Sequence, residues 1–149
     1  MKKLFGLLVI VLGLSTLSSN AQTWTTDYQA ALKESKKTNK AILMNFTGSD
    51  WCGWCIRLKN EVFSKEEFIA YANENLILLE LDFPKRKKLE ADLKLQNNKL
   101  AGTHAVRGFP TIVMIDGNEK VLLKGGYKKG GPIPYIATLK QAFAKASAN

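Results

Sequence analysis

Two cysteines, the only two in the chain, stand three residues apart at Cys52 and Cys55. That spacing restricts what the surrounding chain can be. Thiols at i and i+3 meet when they straddle the first turn of a helix. An apolar run from Ala41 to Phe46, bounded by Lys40 and Thr47-Gly48, reads as a buried strand leading into that turn. Cys55, Leu58 and Val62 then recur at helical spacing. Unpaired N–H groups and the partial positive charge of a helix mouth stabilise a thiolate, lowering Cys52 below the free value of roughly 8.5. Cys52 is therefore expected to be exposed and nucleophilic. Cys55, one turn in, is expected to be buried and to resolve the mixed disulfide.

Other uses of a cysteine pair fit less well. A staple closing so small a loop restrains the unfolded chain by only about 2 kcal/mol. A structural zinc needs roughly four ligands, and the chain adds one histidine, His104, to its two cysteines. Covalent haem requires a histidine directly after the second cysteine, where Ile56 stands. No metal or cofactor is expected. A nucleophilic Cys–His pair with His104 is conceivable, but a structural or surface role suits that residue better.

The rest of the chain alternates helix and strand. Thr26-Asp27-Tyr28-Gln29 reads as a capping box before a helix whose face carries Tyr28, Ala31, Leu32 and Ser35 and which ends near Thr38-Asn39. Ser64-Lys65-Glu66-Glu67 reads as a second box, with Phe63 and Phe68 as a hydrophobic staple. Leu76 to Phe83 is an aliphatic strand stopped by Pro84, and Leu89, Leu93 and Leu100 suggest another helix. Thr111 to Ile115 and Val121 to Leu123 form a hairpin around Asp116-Gly117. Gly125-Gly126 breaks the pattern. Pro132 and Pro134 open a last helix with Ile133, Ile136, Leu139, Lys140 and Phe143 on its apolar face. Strands alternating with helices imply an α/β fold, a central mixed sheet covered on both faces.

Met1-Lys2-Lys3, the apolar run Leu4 to Leu17 and the small residues Ser19-Asn20-Ala21 read as a secretory signal, cleaved after Ala21. Residues 22–149 are then one domain. The protein is expected to be exported, to the periplasm in a Gram-negative source and otherwise secreted. The net charge is +9; losing Lys2 and Lys3 leaves 20 basic against 13 acidic side chains, or +7. An exported chain rarely meets nucleic acid, so the charge reads as solubility and attraction to acidic partners. The densest run, Lys85-Arg86-Lys87-Lys88, reads as a solvated loop.

Val106-Arg107-Gly108-Phe109-Pro110-Thr111 supplies a second element. A cis Pro110 would aim the backbone of Phe109 outward, where it could pair with an extended peptide. Physics alone favours an ordinary trans proline at a strand start.

Together, Trp51-Cys52-Gly53-Trp54-Cys55 and the Phe109-Pro110 segment resemble the thioredoxin superfamily. Phe46-Thr47-Gly48-Ser49-Asp50-Trp51-Cys52 is most similar to exported bacterial thioredoxin-like proteins. The resemblance covers roughly residues 40–143. It implies a thioredoxin fold, Cys52 as nucleophile, Cys55 as resolving thiol, a redox-active disulfide between them and Pro110 as a cis proline facing them. Trp51, Gly53, Trp54, Phe109 and Pro110 are the expected substrate-facing residues. The expected partners are protein thiols and disulfides and a membrane electron donor or acceptor, with the chain acting as a monomer. Two departures stand out. Trp54 replaces the proline of thioredoxin, at a position that helps set the potential in this family. Asn45 replaces its buried aspartate, which assists proton transfer from the second cysteine. Asn cannot take that proton, so another group or water must. Asp50 would oppose a very low thiolate pKa, with Arg57 and Lys59 offsetting it. The expected activity is thiol–disulfide exchange, with reduction or isomerisation slightly ahead of oxidation. The alternatives are a binding or chaperone-like module with little redox turnover and, with less support, a thiol peroxidase.

Overall fold

The computed structural model describes residues 23–147. The proposed signal, Met1 to Ala21, lies outside them. Five strands form one sheet in the order β1-β3-β2-β4-β5. They are β1 (Trp24–Thr25), β2 (Ala41–Thr47), β3 (Leu76–Asp82), β4 (Thr111–Ile115) and β5 (Val121–Gly125). β3 runs parallel to both β1 and β2, and β4 and β5 are antiparallel additions. The expected mixed sheet is present. β1 was not foreseen, because two residues leave no periodic pattern.

Five helices cover the sheet: α1 (Tyr28–Thr38), α2 (Gly53–Leu58), α3 (Glu66–Asn75), α4 (Ala91–Thr103) and α5 (Pro132–Ser147). α2 continues as a π-helical turn, Lys59–Phe63, closed by Ser64 N–H donating to the Lys59 carbonyl at 2.8 Å. The wider turn advances the chain by one residue, so Leu58, Val62 and Phe63 all reach the core.

Both capping boxes need correction. Asp27, not Thr26, caps α1: its carboxylate accepts the Ala30 N–H at 2.9 Å. α3 begins at Glu66 behind Lys65, with no side-chain cap. The staple contact survives, with the Phe63 and Phe68 rings 4.9 Å apart. The apolar face of α5 is also rotated from its predicted line. Tyr135, Ile136, Leu139 and Ala142 are buried, whereas Ile133 and Phe143 are exposed. Pro132 and Ile133 belong to the first turn, before the helix meets the sheet.

Two apolar clusters flank the sheet. One joins Leu43, Leu78 and Met114 to Leu58, Val62, Phe68 and Leu139, under α2, α3 and α5. The other joins Ile42, Met44, Phe46, Leu79 and Leu81 to Leu32 and Leu100, under α1 and α4. Each fully buried side chain of this size contributes about 1.5–3 kcal/mol. The first cluster, through Leu58, Val62 and Phe63, fixes α2 against the sheet, and with it the position of the cysteines.

Candidate active site

β2 ends at Thr47, and a tight turn carries the chain to α2. Cys52 N–H donates to the Gly48 carbonyl at 2.9 Å. Cys52 is the N-cap of α2, in an extended conformation, and its Sγ accepts the Cys55 N–H at 3.2 Å. Cys52 and Cys55 are joined as a disulfide, with Cα atoms 5.2 Å apart. The expectation that Cys52 is exposed needs correction. Both cysteines are 5% exposed. A capping side chain folds back over the first turn, and the disulfide holds it there.

Aromatic rings flank the pair. Trp51 donates its indole N–H to the Phe83 carbonyl at 2.8 Å and meets Phe109 edge-on at 5.8 Å. Its seat needs Gly48, where a Cβ would lie 2.5 Å from the indole. Lys85 Nζ stands 4.1 Å above the same ring. Trp54 is turned toward Tyr127, at 5.3 Å, and is 56% exposed. Arg57 lies over Trp54 and pairs with Glu61, which also accepts the Tyr127 hydroxyl at 2.6 Å. Arg57 therefore answers Glu61 rather than Asp50. Gly53 opens α2 with free space where a Cβ would stand.

The Phe109–Pro110 bond is cis, as the resemblance implied and against the trans expectation. Thr111 pairs with Phe46, so residues 109–110 stand beside the strand end that leads to the cysteines. Of the Gly125-Gly126 pair, Gly126 is the one that matters for packing. A Cβ there would lie 2.8 Å from the Pro110 carbonyl oxygen, whereas Gly125 has open space.

Asp50 is engaged by the loop after β3. Its carboxylate accepts the backbone N–H groups of Lys85, Arg86 and Lys87 at 2.9, 2.7 and 3.2 Å. These bonds, that of Lys85 foremost, hold its carboxyl below the usual range. The basic run is exposed as expected, but its backbone is tied to the turn before Cys52.

Behind Cys55 lies a cavity of about 530 Å³ whose lining includes Asn45, Thr47, Lys59, Glu80 and Asp82. Asn45 pairs with Glu80 in the β2–β3 register. Asn45 Oδ1 is buried without a hydrogen-bond partner. Burial, assisted by Asp82, pushes the Glu80 carboxyl up against the opposing pull of Lys59 and Lys87. Asp82 is engaged by the Ser49 N–H and hydroxyl at 2.8 and 2.6 Å. Sequence reasoning missed Glu80, Asp82, Phe83 and Tyr127 as neighbours of the site. Leu-Glu-Leu-Asp in β3 carried a period-2 signal, but only register shows what its polar face meets.

His104 lies elsewhere, at the end of α4 beside Phe46, in a separate cavity with Tyr28 and Glu119. Burial, then Lys124, lowers its pKa. It forms no pair with either cysteine. Among the described residues, no three His, Cys, Asp or Glu side chains gather to hold a metal ion. No described helix is long and apolar enough to cross a membrane.

Comparison with known proteins agrees with this geometry. A family model described as a thioredoxin-like domain matches residues 28–138. The disulfide bond reductase DsbH of Chlamydia pneumoniae is 36% identical over 115 residues, 77% of this chain and 69% of that protein. The thioredoxin-related protein DsbJ of the same organism is 28% identical over 130 residues, 83% of this chain but 37% of its own length. A solved structure of a DsbH oxidoreductase superimposes with a TM-score of 0.80 at 32% identity, covering 90% of this chain and 92% of that one. The chain belongs to the thioredoxin-like family, among its thiol–disulfide oxidoreductases.

Proposed function

We propose that this protein is exported and exchanges dithiol for disulfide with protein substrates, with reduction or isomerisation slightly favoured over oxidation. The observation that carries the reading is the disulfide at the first turn of α2, where the Cys55 N–H donates to Cys52 Sγ. When the bond opens, the same donor supports a thiolate on Cys52. That thiolate attacks a substrate disulfide, and Cys55 displaces it from the mixed disulfide. Trp51, Gly53, Trp54, Phe109 and Pro110 form the substrate-facing rim. The name of the DsbH relative, a disulfide bond reductase, supports the reducing direction. An exported reductant needs electrons from a membrane donor. The Met1–Ala21 pattern supports export.

Insulin reduction by the wild type beside Cys52→Ser tests the reading, and equal rates would defeat it. Cys55→Ser should trap substrates as mixed disulfides; a protein that captures none covalently is a binding module instead. A reduction potential near roughly −270 mV marks a reductant, and one near roughly −120 mV an oxidant.

A further inference from the structure

The exchange proposed above needs Cys55 to lose a proton before it attacks. Asn45, on the strand beneath it, cannot accept one. The adjacent strand carries the only carboxylate whose register partner is Asn45. Glu80 stands opposite Asn45 in the parallel β2–β3 pair, so the two side chains share a face of the sheet. Both line the cavity that Cys55 also lines. At about 530 Å³, with Asn45, Thr47, Ser49, Glu80 and Asp82 in its lining, the cavity has the room and the polar partners that water needs. Asn45 Oδ1, buried without a protein partner, is an acceptor placed to anchor such a water.

We propose that Glu80 is the proton acceptor for the Cys55 thiol, reached through cavity water that Asn45 holds in place. Glu80 is thus a positioning residue for the resolving step.

Every ionisable group lining this cavity fits the assignment. Lys59, from the turn after α2, and Lys87, from the loop after β3, are cations. Neither can accept a proton while charged, and both favour the ionised Glu80. Asp82, on β3 itself, is occupied by Ser49 and adds negative charge beside Glu80. Burial and that charge raise the affinity of Glu80 for a proton, bringing it nearer to a thiol's. α3 contributes Ile69 and β1 contributes Trp24, neither of which titrates.

Cys55 S–H gives its proton to the water, which passes one to Glu80. The Cys55 thiolate attacks Cys52 Sγ in the mixed disulfide. The Cys52–Cys55 bond forms as the bond from Cys52 to the substrate sulfur breaks. The electron pair leaves on that sulfur, which takes a proton from solvent. The protein dithiol is oxidised, the substrate disulfide is reduced, and Glu80 later releases its proton through the cavity.

Rapid-quench mass spectrometry of the reduced protein with glutathione disulfide separates formation of the Cys52–glutathione adduct from its decay. In Glu80→Gln, adduct formation should be unchanged. Its decay at neutral pH should fall roughly 100-fold, with the midpoint of the pH profile moved upward. Glu80→Asp should retain most of the rate. A Glu80→Gln decay profile that superimposes on the wild type overturns the assignment, as does equal loss in both variants. A wild type that forms no adduct defeats the underlying exchange reading as well. Carbon-13 NMR titration of Glu80 in the wild type covers a variant that fails to fold. Its midpoint should differ between the dithiol and disulfide forms, and identical titrations overturn the proposal.

Discussion

The two faces of the sheet are built from the same strands and differ in how far their apolar character runs. On the face under α1 and α4, β2 presents Ile42, Met44 and Phe46, and β3 presents Ile77, Leu79 and Leu81. On β2 and β3 that face is apolar from end to end. On the face under α2, α3 and α5, Ala41, Leu43, Leu76 and Leu78 give way to Asn45, Thr47, Glu80 and Asp82. The polar end lies at the carboxyl ends of β2 and β3, where α/β sheets commonly place their chemistry. One face is spent on stability. The other gives up apolar contact for a pocket with titratable groups behind a sulfur.

The largest effect that could break this contrast is on the apolar face. Phe46 is fully buried, and Phe46→Ala should cost about 3–5 kcal/mol in urea unfolding. Exchange per folded molecule should stay near that of the wild type. A folded Phe46→Ala protein with exchange as slow as Glu80→Gln would mean that the faces do not divide the labour. A smaller effect sharpens the contrast at the functional end of the sheet. Gly126→Ala forces a Cβ to 2.8 Å from the Pro110 carbonyl oxygen, at a cost of about 1–3 kcal/mol. It should also slow exchange with protein substrates. Gly125→Ala, which meets nothing within 4 Å, is the control and should change neither. Thermal melts and insulin turnover on both variants decide it.

Much of this contrast was legible in the chain, and its limits were physical. The Cys-x-x-Cys turn, the strand before it and the hairpin follow from local spacing. Asn45 stood out because a known family places an aspartate there. Glu80 and Asp82 sat inside a strand read as aliphatic, and nothing local says that they face Asn45 and Thr47. That depends on the β2–β3 register, which is set by the whole sheet. Asp50 was read as a charge beside Cys52, yet its partners come from residues 85–87. Burial of Cys52 escaped for the same reason, since exposure depends on how the capping side chain and the disulfide close over the turn.

The smallest expected effect separates the two carboxylates on either side of that turn by the sign of their pH dependence. Glu80 has a raised folded pKa, so its protonated form is the one the fold favours. The stability it contributes is complete below the unfolded value of about 4.3 and is lost as pH rises through the folded value. Glu80→Gln mimics the protonated group. Its Tm should match the wild type in acid and exceed it at neutral pH. Asp50 has a lowered folded pKa. Its contribution is complete above the unfolded value of about 3.9 and is lost as pH falls through the folded value. Asp50→Asn should therefore melt below the wild type at neutral pH and converge with it in acid. The Asp50 difference should be the smaller, because that carboxylate is solvent-screened. Differences of the same sign would show that one of these groups is not where its hydrogen bonds and burial put it. Opposite signs, with slower exchange in the stabilised Glu80→Gln, would mean that the pocket keeps a destabilising carboxylate because the chemistry needs it.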